Sequence, residues 1–160
     1  GANYKGSFGG VDLGVAVGYN RANVSNTAET EGADDPQQFK AGVSVGVAGF
    51  TIAGSYANEF EGQTNATNTS STEGQSFDVG VSYGMGPWGV SATYFSGETE
   101  RTIATGADDE VWALVGAVSY SIGPGITTSF SLIHAEWEGE NGGTEKSEGT
   151  LGILGLAVGF

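Results

Sequence analysis

The stretch Phe77–Phe95, FDVGVSYGMGPWGVSATYF, alternates large apolar and small residues on both sides of a four-residue break. Phe77, Val79, Val81 and Tyr83 interleave with Asp78, Gly80 and Ser82. Beyond Gly84-Met85-Gly86-Pro87, Trp88, Val90, Ala92 and Tyr94 interleave with Gly89, Ser91 and Thr93. Successive side chains of a β-strand point to opposite faces, so this period of two predicts two strands sharing one apolar face across a tight turn. The break also spells G-x-G-x-x-G (Gly84 to Gly89), the pattern of a dinucleotide cradle. That motif needs a helix after it; here it lies between two strands and contains Pro87, so it reads as a turn.

The same period recurs along the whole chain. Val11, Leu13, Val15, Val17 and Tyr19 form one run; Phe39, Ala41, Val43, Val45 and Val47 form another. Phe50, Ile52, Gly54 and Tyr56 follow, then Trp112, Leu114, Gly116, Val118 and Tyr120, then Ile126, Thr128, Phe130 and Leu132. The last run is Leu154, Leu156, Val158 and Phe160. β-branched content and glycine density argue against helix throughout. Tight turns at Gly9-Gly10, Ala48-Gly49, Gly84–Pro87 and Gly123–Gly125 alternate with long acidic stretches at 23–37, 59–74, 97–109 and 138–147. Short turns at one end and long loops at the other mark a transmembrane β-barrel meander.

The two faces differ in a way that separates lipid from water. Opposite the apolar face stand mainly Gly, Ala, Ser and Thr, with Lys5, Asp12, Lys40 and Asp78 as charged, lumen-facing candidates. A soluble sandwich would carry many Lys and Glu there. The aromatic residues gather at strand ends in two girdles. Phe8, Phe50, Tyr83, Trp88, Tyr120 and Phe160 fall at the short-turn end; Tyr19, Phe39, Tyr56, Phe77, Tyr94 and Trp112 fall at the long-loop end.

Composition narrows the class further. Asp and Glu number 19 against 5 Lys and Arg, a net charge of −14, which excludes a nucleic-acid partner. There is no Cys, so thiolate chemistry and disulfides are out, and no apolar run approaches the ~18 residues of a spanning helix. His134 is the sole histidine and has no serine elbow or HExxH around it, so no catalytic residue is assigned; Glu136 and Trp137 beside it point to a rim or subunit contact. Asp34, Asp35, Asp108 and Asp109 form acidic pairs that could hold Ca²⁺ through oxygen ligands, without EF-hand spacing. Solvated loop charge is the simpler reading, and no other cofactor is expected.

Eight full strands can be counted from Val11 onward, plus a stub, NYKGSF (Asn3–Phe8), that also alternates. A closed barrel of eight strands has an interior just wide enough to be filled by side chains. Glycine, alanine and serine would leave it hollow, and voids cost ~24 cal/mol per Å³. A wide, water-filled lumen suits small polar linings better. The expectation is therefore a single all-β domain over 1–160: about nine strands, eight and a stub, forming the C-terminal half of a barrel of about sixteen.

Four segments carry a resemblance to a known family: YKGSFGGVDLGVAVGY, FKAGVSVGVAGFTIAGSYA, FDVGVSYGMGPWGVSATYF and the final GTLGILGLAVGF. They resemble the later strands of Gram-negative general-diffusion porins, particularly alphaproteobacterial ones. The resemblance implies passive diffusion of small hydrophilic solutes through a trimeric outer-membrane channel of a Gram-negative bacterium, in contact with lipid and lipopolysaccharide. It also implies that Leu154, Leu156, Val158 and Phe160 form the signal read by the barrel assembly machinery. Family porins narrow their lumen with an inward-folded third loop facing basic wall residues; that loop belongs to early strands, while Lys5, Lys40 and Arg21 could contribute on the wall. Acidic loops at the entrance would concentrate cations within a Debye length of ~8 Å, giving weak cation selectivity. The competing reading is a small eight-stranded structural or adhesive outer-membrane barrel without a wide pore.

Overall fold

A computed structural model describes residues 1–23, 35–60, 72–101, 108–139 and 146–159. The larger part of the expected loops 23–37, 59–74 and 138–147 and six residues of 97–109, together with Asp34 and Phe160, lie outside the described residues. Nine strands follow one another: β1 (Ala2–Phe8), β2 (Val11–Arg21), β3 (Gln37–Val47), β4 (Phe50–Phe60), β5 (Thr72–Met85), β6 (Trp88–Arg101), β7 (Asp108–Gly123), β8 (Ile126–Glu138) and β9 (Lys146–Val158). Each pairs antiparallel with the next, in one sheet ordered β1 to β9. The expected stub is therefore a paired strand, with Ala2 opposite Val17 and Phe8 opposite Val11.

The tight turns are tighter than the sequence implied. Gly84 and Met85 belong to β5, paired with Gly89 and Trp88, which leaves a two-residue turn at Gly86-Pro87. Gly86 has φ 57°, the left-handed conformation that a two-residue hairpin needs and that glycine adopts without strain. Pro124-Gly125 does the same between β7 and β8, after a bulge between Ser121 and Gly123 that leaves Ile122 exposed. At the other end the strands run longer than the apolar alternation. Gln75 pairs with Glu98, and Glu73 with Glu100, beyond the upper aromatic girdle. Backbone pairing continues there although both faces have become polar, so the hydrophobic pattern carries no trace of it.

Register fixes the faces. Directly opposed residues share a face, and the pairs Val15–Val43, Val43–Gly54, Gly54–Val79, Val79–Tyr94 and Tyr94–Leu114 run across one side without a slip. Every exposed large hydrophobic residue lies on that side except Ile122, Trp137, Leu151 and Ile153. Among the described residues no hydrophobic side chain is buried. In water each such side chain would forgo ~1.5–3 kcal/mol, so no aqueous fold would leave this face bare. Lipid supplies the burial.

Among the described residues, aromatic rings gather at both strand ends on the apolar side. At the short-turn end Phe50 stacks on Tyr83 with ring centroids 4.2 Å apart, and Trp88 meets Tyr120 at 4.6 Å. At the other end Phe77, Tyr94 and Trp112 form a chain with spacings of 5.9 and 6.4 Å, and Tyr19 lies opposite Phe39. On β4 to β7 the two girdles stand six to eight residues apart, roughly 20–27 Å along a strand. That matches an apolar band of about 25 Å.

Candidate functional site

The other side of the sheet is the candidate site. Seven strands contribute residues too small to fill space: Gly14, Ala16 and Gly18 on β2, Gly42, Ser44 and Gly46 on β3, and similar residues on β4 to β8. A side chain on this wall would often meet its neighbour: a Cβ on Gly14 would sit 2.5 Å from Ser44 Oγ. All four charged candidates stand here. Lys5 faces Gly14, Asp12 faces Ser7 and Gly46, Lys40 faces Gly18 and Ala57, and Asp78 faces Ser55 and Phe95.

Their environments differ. Ser7 Oγ donates to Asp12 Oδ1 and Ser55 Oγ donates to Asp78 Oδ2 across neighbouring strands, so both carboxylates are held against the wall by hydroxyls. Lys5 lines a hollow of about 450 Å³ with Ser7, Asp12, Ser44 and Thr51, floored by Gly14 and Gly46. Nothing in that arrangement resembles a catalytic constellation. It offers hydroxyls, single charges and bare backbone.

Arg21 behaves differently. It lies on the face of Tyr19, opposite Gln37, and its Nη2 is 2.9 Å from Asp35 Oδ2. It is not on the small-residue wall, because its odd position places it with the apolar set. Asp35 is thereby engaged, and Asp108 and Asp109, being consecutive in β7, point to opposite faces. Among the described residues no group of three His, Asp or Glu side chains could hold a metal ion.

The long-loop end of the apolar side forms a polar fringe. Tyr19 and Tyr56 hydroxyls donate to Gln37 and Gln75, the latter at 2.9 Å, turning the upper girdle toward water. His134 sits in this fringe, its Nδ1 2.9 Å from Thr150 Oγ1 and its ring 5.4 Å from Trp112, with the Lys146–Glu136 ion pair at 2.6 Å on the next row. This is a rim environment. Glu98, Glu110 and Glu138 stand directly opposite one another across β6, β7 and β8, and opposed like charges destabilise a ladder. Glu110→Gln should therefore raise stability by about 0.5 kcal/mol, more at low salt than at high. Urea titrations of vesicle-embedded protein at two ionic strengths measure this.

One feature of the wall escaped the sequence pattern. Phe95, Val111, Val115, Ile133, Trp137, Leu151 and Ile153 all share the small-residue face, on β6 to β9. Phe95, Val111, Val115 and Ile133 were masked by the apolar residue next to each, and Trp137 lies between Glu136 and Glu138 beyond the apolar alternation. Trp112 follows Val111, Leu114 precedes Val115 and Leu132 precedes Ile133. Two consecutive apolar residues in a strand mean that both faces are apolar, and that was the available signal.

The sequence model of a family described as Gram-negative porin matches residues 1–137. No curated protein matches the chain. Among solved structures, a loop-deletion mutant of OmpT, an outer membrane protein of Vibrio cholerae, is similar at 17% identity and TM-score 0.67, over 98% of this chain and 51% of that one. OmpT of Vibrio cholerae expressed in the outer membrane gives 15% and 0.64, over 98% and 54%. An in-vitro folded trimer form of OmpT gives 15% and 0.65, over the same shares. The chain thus spans about half the length of the structures it matches.

Proposed function

Because the chain belongs to the Gram-negative porin family and resides in the outer membrane, we propose that it forms half the wall of a water-filled channel for passive diffusion of small hydrophilic solutes and ions. The observation that carries this reading is the two-faced sheet: a continuous apolar side with no buried hydrophobic residue among the described residues, backed by a wall that on β2 to β5 is mainly Gly, Ala, Ser and Thr. Lys5, Asp12, Lys40 and Asp78 then face the lumen, and flux follows solute size and charge with no chemical step. Leu154 and Leu156, 81% and 67% exposed on the apolar side of β9, fit lipid contact or recognition by the assembly machinery.

Strand parity supports the count of about sixteen. In an antiparallel meander β1 and β9 run the same way, so pairing them would introduce a parallel seam. Closing eight strands from β2 to β9 is blocked as well, because β1 already occupies the free edge of β2. An odd number of further strands, about seven, completes an even all-antiparallel barrel, in keeping with matched structures about twice as long. A trimer form among those structures favours a homotrimer here.

The net charge of −14 favours cations. In planar bilayers under a KCl gradient the full-length protein should give stable open channels whose reversal potential shows weak cation preference. Anion preference would refute the selectivity, and absence of any current would remove the channel reading itself.

A further inference from the structure

We propose, on the footing of the channel reading, that the upper inner wall holds a binding site for organic cations with an apolar body. Glu59 supplies its anionic end; Phe95, Val111 and Trp137 supply its apolar floor. A hollow of about 190 Å³ is lined by Glu59, Gly74, Phe95, Gly97 and Val111 among others. Gly74 and Gly97 contribute no side chain to the space between the carboxylate and the ring, which Ser76 and Thr99 border with small polar groups. A Cβ on Gly97 would lie 3.3 Å from Phe95 Cζ and 3.5 Å from Val111 Cγ1, so the ring leans over that glycine toward Val111. Trp137 is directly opposite Val111 and 37% exposed, which extends the aromatic surface onto β8.

Charge decides which solute fits. Glu59 makes no hydrogen bond or ion pair with any described residue, and Lys40, diagonal to it across β3 and β4, forms no ion pair with it. An ammonium group gains from the carboxylate and from the negative faces of the aromatic rings. Its apolar body covers wall that would otherwise stand in water. A hydrophobic anion gains only the second term and is repelled by the first. A small cation without an apolar body gains little beyond the first.

The test uses the full-length protein and three probes: benzyltrimethylammonium, tetramethylammonium and benzenesulfonate. In bilayers, benzyltrimethylammonium should block KCl current in a saturable way, and the other two should block weakly. Glu59→Gln, Phe95→Ala and Trp137→Ala should each weaken that block by about threefold or more, read against each variant's own unblocked current. Titration calorimetry on detergent-solubilised protein reads the same binding without a current. Equal block by all three probes, or block unchanged in the variants, overturns the site. Channels that conduct KCl but show neither block nor heat overturn it too, and would mean that the wall is covered by polypeptide from the remainder of the barrel. Absence of current with calorimetric binding intact would instead overturn the channel reading.

Discussion

Val43→Arg is expected to lose ~2–4 kcal/mol of folding stability in vesicles, while Ser44→Arg, one residue further on, stays close to the parent. Val43 lies midway along β3 on the apolar side, opposite Val15 and Gly54. A guanidinium there must enter the middle of the hydrocarbon band, where neither water nor a counter-charge is at hand. Ser44 points the other way, into hollows it shares with Lys5 and Gly14. An arginine at that position stays hydrated, so stability should hardly change. The lumen, however, gains a second cation beside Lys5, so cation preference in a KCl gradient should fall. Urea titration and reversal potentials read the two effects separately. Equal losses of stability from the two substitutions would mean that the sheet does not divide lipid from water.

Gly125→Ala is expected to cost about 2–3 kcal/mol, the second large effect, through the backbone alone. Gly125 has φ 73°, a conformation costing L-residues ~1–2 kcal/mol. A Cβ there would also lie 2.3 Å from the carbonyl oxygen of Gly159. The turn cannot drift away without sacrificing the 2.7 Å bond that Gly159 N–H donates to Gly125 O, which fastens the end of β9 to the β7–β8 turn. Gly9→Ala is the control. Its φ of 59° carries a similar conformational cost, but nothing lies within 4 Å of the added atom, so about 1 kcal/mol should be lost. If the two substitutions cost the same in a urea titration, the contact between the turn and β9 contributes nothing.

Much of the fold was legible because a membrane strand must show its apolar residues at every second position. Val11 to Tyr19 and Phe39 to Val47 therefore revealed their faces without any partner in view. Tight turns were legible too, since Gly9-Gly10 and Gly86 need left-handed backbone. Strand ends above the girdle were not. Gln75 and Glu98 are both polar, and cross-strand pairing at such positions is a backbone property with no periodic side-chain trace. On the wall, Lys5, Asp12, Lys40 and Asp78 were legible as charges set among glycines and serines. Phe95, Val111 and Trp137 were not. Each is as apolar as the residues of the lipid side, and the register assigns it to the opposite face. Arg21 was ambiguous at a strand end until pairing with Gln37 placed it beside Tyr19.

The central claim is that one face of this sheet meets water and the other lipid, and β3 offers its most direct measurement. The chain has no cysteine, so each residue from Lys40 to Gly46 can be replaced by a single cysteine in vesicle-embedded protein. Each variant is then exposed to a charged, membrane-impermeant thiol reagent. Positions 40, 42, 44 and 46 should label rapidly, and positions 41, 43 and 45 should label only after the membrane is dissolved and the protein unfolded. Labelling at 41, 43 and 45 as fast as at their neighbours in intact vesicles would contradict the account.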